Sequence, residues 1–256
     1  MLVDRADPAV AVVTINRPAK KNCMTLAMWQ RLGEAFEELG RDDAVRVIIL
    51  TGAGGSFCSG ADISEFHLVR DTVEQATHYE HVVDFCSRAI EGSPKATIAA
   101  IEGFCVGGGF GLAQCCDFRV ARDGASFGIP AARLGLVYNT IECRNLMALV
   151  GITKAKEILF TGERFDAAEA VRIGFADRLT EGPAVDAARA FAARMSGNAP
   201  LTIAGCKVVL GAILRAADRE EEASILAAMD RAIASEDYKE GRKAFAEKRP
   251  PRFKGR

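Results

Sequence analysis

Four apolar residues in a row, Val47-Ile48-Ile49-Leu50, run directly into Thr51-Gly52-Ala53-Gly54-Gly55, and this junction constrains the fold more than any other segment. Successive side chains of a strand point to opposite faces, so an unbroken apolar run needs cover on both sides of its sheet. Further β-branched runs occur at Ala11 to Ile15, Ala96 to Ile101 and Phe118 to Ala121, and the Val47 run itself extends from Val45 to Thr51. Between them lie segments of helical period such as Leu26 to Leu39. The alternation predicts an α/β fold. The strands recur at irregular intervals with no fixed repeat, as in a loosely coiled stack of β-β-α units.

Further along, Asp166 reads as a helix N-cap with Glu169 three residues on, and Gly174 stands where that helix should stop. From Pro200 onward strand signals vanish, and Ala, Leu, Ile and charged residues follow a helical pattern up to Pro250-Pro251. Two units are therefore expected: a core over 1–199 and a helical C-terminal module over 200–256.

A chain of 256 residues with 49% hydrophobic content can bury a full core without metal or disulfide staples. The formal charge of −1 excludes a whole-surface attraction to nucleic acid or anionic lipid, so any phosphate site must be local. Eight cysteines are scattered with no C-x-x-C and no matching His cluster, which predicts reduced thiols, no metal site and a cytoplasmic protein. The opening Met1-Leu2-Val3-Asp4-Arg5 carries charge where a signal peptide needs an apolar run, and no stretch approaches the roughly 18 apolar residues of a span.

Two glycine-rich segments carry the chemistry. The first leaves a strand as Thr51-Gly52-Ala53-Gly54-Gly55-Ser56-Phe57-Cys58-Ser59-Gly60-Ala61-Asp62, where small residues let backbone approach a ligand; a surface turn would account for it alone. The second, Ile101-Glu102-Gly103-Phe104-Cys105-Val106-Gly107-Gly108-Gly109-Phe110-Gly111-Leu112-Ala113, opens an apolar helix with three glycines. Free N–H groups and the positive end of a helix dipole suit an oxyanion there. Neither G-x-G-x-x-G nor G-K-[ST] is present, so dinucleotide and P-loop readings fail.

Together the two segments resemble the crotonase (enoyl-CoA hydratase/isomerase) superfamily. The likeness extends to Asn16-Arg17-Pro18, to Lys95 through Gly103, and to Phe160-Thr161-Gly162 through Ala168-Glu169-Ala170 and Gly174. The resemblance implies a crotonase-type spiral of β-β-α units with a C-terminal helical oligomerisation module, in a homotrimer or dimer of trimers. It implies an oxyanion hole made by the N–H groups of Ala61 and Gly108, with Gly107 beside them. Coenzyme A, part of the substrate rather than a separate cofactor, would bend around the loop of Ser59, Ala61, Asp62 and Ile63. Lys20 and Lys21, with Phe245 and Lys248 of a neighbouring subunit, would meet its phosphates and ribose.

The family's hydratases use two glutamates to activate water and protonate carbon. One lies two residues after the glycine triplet, where this chain has Gly111; the other follows the proline of F-G-x-P, where Phe127-Gly128-Ile129-Pro130 leads to Ala131. Some relatives use an aspartate eight residues beyond, where this chain has Asn139, an amide that can orient a substrate or donate a hydrogen bond but cannot act as a carboxylate base or nucleophile. Tyr138 and Glu142 remain as polar candidates. Val137-Tyr138-Asn139, Glu236 through Gly241 and Phe245 through Arg249 are similar to the methylmalonyl-CoA decarboxylase branch, whose chemistry generates the enolate by loss of CO₂ without a base. Three readings stay open: a lyase acting on a substituted malonyl-CoA, a hydratase with Glu142 as its base, and a catalytically silent CoA-thioester or RNA-binding module. His78 and His81 read as solvent or packing residues and Trp29 as core, while His67 lies where relatives cover the acyl pocket. The basic tail from Arg242 reads as a solvated end or a CoA-phosphate contact, so neither nucleic acid nor membrane is an expected partner.

Overall fold

The computed structural model describes residues 1–134, 137–215, 227, 230–231, 234–247 and 249–256. Strands β1 (Leu2–Asp7) and β2 (Val10–Ile15) form an antiparallel pair, and helix α1 (Leu26–Arg41) begins where the Thr25 side chain accepts from the Met28 N–H. Strand β3 (Val47–Gly52) returns parallel to β2, with Val10 opposite Val47 and Ile15 opposite Gly52. The short α2 (Phe66–Val69) and the long α3 (Val73–Glu91) then cross to β4 (Ala96–Ile101). Thr72 and Gln75 close a capping box at the start of α3, satisfying two of the donors that a helix N-terminus leaves open.

From here the chain alternates between two sheets. Strand β5 (Phe104–Val106) leads into α4 (Gly108–Cys115) and back to β6 (Phe118–Arg122). Then β7 (Ser126–Gly128) leads through α5 (Ala131–Leu134) and α6 (Thr140–Thr161) to β8 (Arg164–Asp166). Helix α7 (Ala167–Arg172) connects to β9 (Arg178–Thr180), which is followed by α8 (Ala184–Ser196), α9 (Pro200–Leu214) and a last helix, Glu236–Ala246. The larger sheet has the order β1-β2-β3-β4-β6-β9 and the smaller β5-β7-β8. Consecutive strands β4 and β5, then β6 and β7, are thus dealt one to each sheet, which is the coil of β-β-α units that the sequence implies.

Both faces of the large sheet are covered, as the apolar runs require. Ala11, Val13, Ile48, Leu50, Ala99 and Ile101 face a core completed by α1, α3 and α4. Their strand neighbours Val10, Val12, Val47, Ile49, Ile98 and Ala100 face the opposite way, against Ala184, Ala188 and Ala192 of α8. The predicted strands lie within a residue or two of the observed ones; Val45 belongs to the turn before β3, its N–H donating to the Asp42 carbonyl. Asp166 caps α7 through the Glu169 N–H, and Gly174 follows that helix at φ +83. Among the described residues after Pro200 no strand occurs, and α9 folds back on the sheet, its Lys207 ammonium donating to the Lys95 carbonyl and to Asp117. No single described helix is long and apolar enough to cross a membrane.

Candidate active site

The loop after β3 is held from below by the segment after β2. Asn22, fully buried in the left-handed region at φ 56, accepts the Arg17 N–H and donates to the carbonyls of Ala53 and Ser56. Arg17 reaches Asp62 at 2.6 Å, while the other oxygen of that carboxylate accepts from the Ser64 N–H and hydroxyl. The Ser64 hydroxyl and the Arg17 guanidinium hold the Asp62 carboxyl down at about 2, so it stays charged and the clamp stays closed at neutral pH. The Asp62 side chain is therefore turned into the protein.

Between these clamps Ala61 is presented by its backbone. Met24 donates to the Gly60 carbonyl and accepts from the Asp62 N–H, so the intervening Ala61 N–H is turned away from Met24. Facing it is the start of α4. Gly107 sits at φ 56, ψ −123, a conformation that a side chain would oppose, and its N–H is tied to the Gly128 carbonyl. This bend leaves Gly108 as the first residue of α4, with its N–H free of the helix ladder. A Cβ placed on Gly108 would stand 3.7 Å from the Ala61 nitrogen, and one on Gly60 would stand 3.3 Å from the Gly108 nitrogen. Neither N–H finds an acceptor among the described residues. The approach is close because Gly109 carries no side chain: a Cβ there would lie 2.2 Å from the Cys58 carbonyl oxygen. The Ala61 loop and the start of α4 thus approach closely, with Trp29 beside them, its ring 3.0 Å from where a Cβ on Gly108 would be.

The sequence profile of the enoyl-CoA hydratase/isomerase family matches residues 5–256. The chain belongs to the enoyl-CoA hydratase/isomerase family. It is 34% identical over 245 residues to a short-chain-enoyl-CoA hydratase of Clostridium acetobutylicum, covering 94% of this chain and 92% of that one. Among solved structures it superposes at TM-score 0.93 and 38% identity on an enoyl-CoA hydratase/isomerase family protein from Hyphomonas neptunium, covering 100% and 97% of the two chains. An enoyl-CoA hydratase from Bacillus anthracis matches at TM-score 0.87 and 31% identity, over 100% and 99%. This family acts on acyl-CoA thioesters.

Across the same helix turn lies the segment that enters α6. The Tyr138 hydroxyl stands 3.8 Å from where a Cβ of Gly107 would be, and the Glu142 Oε1 stands 3.0 Å from where a Cβ of Gly111 would be. Gly107 and Gly111 are four residues apart on one helical face, so the phenol and the carboxylate flank the first turn of α4. Asn139 is the N-cap of α6: its Oδ1 accepts the Glu142 N–H, its Nδ2 donates to Asp84, and its N–H donates to Glu142 Oε2. Its amide is spent on the cap and on α3, leaving Tyr138 and Glu142 as the groups directed at α4. Burial, opposed by the Asn139 N–H and assisted by Glu80 and Asp84, pushes the Glu142 carboxyl up to about 7. Burial, then the charges of Glu142, Cys143 and Glu80, drives the Tyr138 phenol well above its ordinary range, so it stays protonated.

The other residues singled out in the sequence spread around this centre. Ala131 is buried at the start of α5 and offers no carboxylate. Ser59 lies in the Ala61 loop with its N–H donating to the Lys21 carbonyl, and Ile63 is exposed beside it. Lys20 is exposed; the Lys21 ammonium sits 4.2 Å from the centroid of the Phe104 ring, and the Arg164 guanidinium lies 5.2 Å from the same ring. Phe245 falls on the last helix, and Lys248 lies outside the described residues. His67, His78 and His81 are exposed. Trp29 is core, and its indole N–H donates to the Tyr79 hydroxyl at 3.1 Å. Sequence reasoning did not find the clamp of Asn22, Arg17 and Asp62, although Asn22 at a left-handed position just after Arg17-Pro18 is the kind of residue such a turn selects.

Proposed function

We propose that this family member is a lyase that generates a CoA-thioester enolate from a substituted malonyl-CoA. What supports the reading is the close approach of the Ala61 and Gly108 backbones, whose N–H groups have no acceptor among the described residues, near two positions, Gly111 and Ala131, that hold no carboxylate. Breaking the bond between Cα and the carboxylate sends its electron pair into the thioester, whose oxygen takes up the charge and is met by the two N–H groups. CO₂ leaves, and Cα accepts a proton. No base is needed for the first step. Tyr138, kept protonated, donates a hydrogen bond that orients the departing carboxylate.

The CoA moiety lies along the Ala61 loop in this reading, with main-chain groups of Ser59, Ala61 and Ile63 toward the adenine and Lys20 and Lys21 toward the phosphates. Phe245 and Lys248 of a neighbouring subunit complete the site in a homotrimer or dimer of trimers, with α9 and the last helix forming subunit contacts. The protein works in the cytoplasm.

One observation favours a second reading, hydration of an enoyl-CoA: the Glu142 carboxylate occupies the space over Gly111, about one helical turn from Gly108. Incubating the pure protein with matched panels of malonyl-type and enoyl-CoA thioesters, and identifying products by mass, separates the two. Loss of CO₂ supports the lyase. Turnover of crotonyl-CoA at roughly 10 per second, ordinary for an enzyme, overturns it in favour of hydration. Binding without turnover of either panel leaves a silent CoA-thioester module.

A further inference from the structure

The carboxylate over Gly111 has a consequence that holds whichever substrate is used. We propose that Glu142, reaching from α6 into the space that Gly111 leaves on α4, is the group that carries the proton to and from Cα of the thioester enolate. The proposal rests on the oxyanion-hole reading of Ala61 and Gly108.

Its geometry has three parts. Gly111 is the fourth residue of α4, three positions after the free Gly108 N–H, so the two are about one turn apart and share a face. The Glu142 Oε1 stands 3.0 Å from the Cβ position of Gly111, inside ordinary contact, so any larger residue there would displace it. Finally the two carboxylate oxygens have separate duties: Oε2 accepts the Asn139 N–H in the capping box, while Oε1 has no hydrogen-bond partner among the described residues. The cap thus aims the second oxygen along α4. Gln114, one turn further along that helix, donates its Nε2 to the Glu142 carbonyl and fixes the first turn of α6 against α4.

The groups facing Glu142 set its protonation. Glu80 and Asp84 come from α3, Tyr138 and Asn139 precede α6, and Cys143 is the next residue along; the two α3 carboxylates favour the neutral acid and the Asn139 N–H favours the anion. Burial adds to the first effect, and the carboxyl titrates close to neutrality. A group so poised can both give and take a proton at working pH. In the lyase direction the O–H bond of neutral Glu142 breaks, the proton joins Cα, and the carboxylate is reprotonated from water. In the reverse sense the carboxylate takes an α-proton and the thioester oxygen receives the charge.

The test is exchange of the α-hydrogens of butyryl-CoA in D₂O, followed by mass, with affinity for the same thioester measured alongside. Glu142→Gln keeps an acceptor for the Asn139 N–H and loses the proton, so exchange should fall by a hundredfold or more with affinity changed by only a few-fold, on the order of the loss of a positioned base. Gly111→Ala, which strengthens the helix by propensity, should lower exchange roughly tenfold by pushing the carboxylate aside, without loss of thermal stability. Wild-type exchange should also rise with pH through about 7, the value at which the carboxyl ionises, a profile that a purely capping role would not produce. Exchange that survives Glu142→Gln overturns the proposal and leaves the oxyanion hole standing. Exchange that survives Gly108→Pro but not Glu142→Gln overturns the hole, and with it the proposal that rests on it. A wild-type protein that exchanges nothing overturns both.

Discussion

Replacing Glu142 by Gln should change how the stability of the fold depends on pH, and the size of the change follows from the carboxyl's surroundings. In the unfolded chain this side chain titrates near the ordinary glutamate value of 4.5; in the fold burial moves it to about 7. Between those values the folded state holds a proton that the unfolded state has released, so stability declines as pH rises through the window and is lowest above it. At about 1.4 kcal/mol per pH unit the gap is worth roughly 3 kcal/mol, and relaxation of a half-buried group brings the expectation to about 2 kcal/mol. Glutamine keeps the cap and removes the titration. Urea denaturation of both proteins at about pH 5 and about pH 8 isolates the difference, because every other group titrates alike in the two. The variant should lose much less stability than the wild type between the two pH values, by roughly 2 kcal/mol. A stability difference between them that stays constant to within about 0.5 kcal/mol across that range would refute the assignment of a raised carboxyl.

Gly108→Pro removes the Gly108 N–H donor and should lower turnover by roughly a hundredfold or more; because its ring would press on Trp29, circular dichroism and the melting temperature are measured beside the steady-state kinetics to separate loss of the donor from loss of the fold. Gly109→Ala should instead fail in stability, since its Cβ would lie 2.2 Å from the Cys58 carbonyl oxygen; a melting temperature equal to the wild type's would show that the two loops are not in contact. Asp62→Asn should cost about 2 kcal/mol in urea denaturation at neutral pH, because the charged carboxyl, held at about 2 by Ser64 and Arg17, stabilises above its unfolded value and loses that contribution as pH falls toward 2. Tyr138→Phe should slow decarboxylation of a malonyl-type thioester while leaving affinity for CoA thioesters within a few-fold; unchanged turnover would remove the phenol from the reaction.

Much of the fold was legible because its signals are local. The run Val47-Ile48-Ile49-Leu50 announced a strand covered on both faces, and the structure places α1 and α3 on one side and α8 on the other. Asp166, Glu169 and Gly174 bracketed α7 to the residue. The strand-to-glycine junctions marked the loops that meet at Ala61 and Gly108. What could not be read was how Glu142 and Gly111 relate: they lie far apart in the chain, and only the packing of α6 on α4 brings an acidic end to a position with no side chain. The double use of Asn139, cap to α6 and donor to Asp84, was hidden for the same reason, since half of it depends on α3. His67 sits in the segment expected to cover an acyl pocket and is exposed.

In the proposed site the donors at Ala61 and Gly108 are amides, so its charge-stabilising half would be written in chain path rather than in residue identity. Every amino acid but proline carries that N–H, so substitution there is limited by sterics, such as the Trp29 ring behind Gly108, and not by the loss of a functional group. The proton-handling half is written in side chains and can be changed one position at a time. On the proposed reading, Gly111, Ala131 and Glu142 could be exchanged for other acids, bases or hydrogens while the proposed enolate cradle persists, so that different thioester reactions could be installed without rebuilding the backbone.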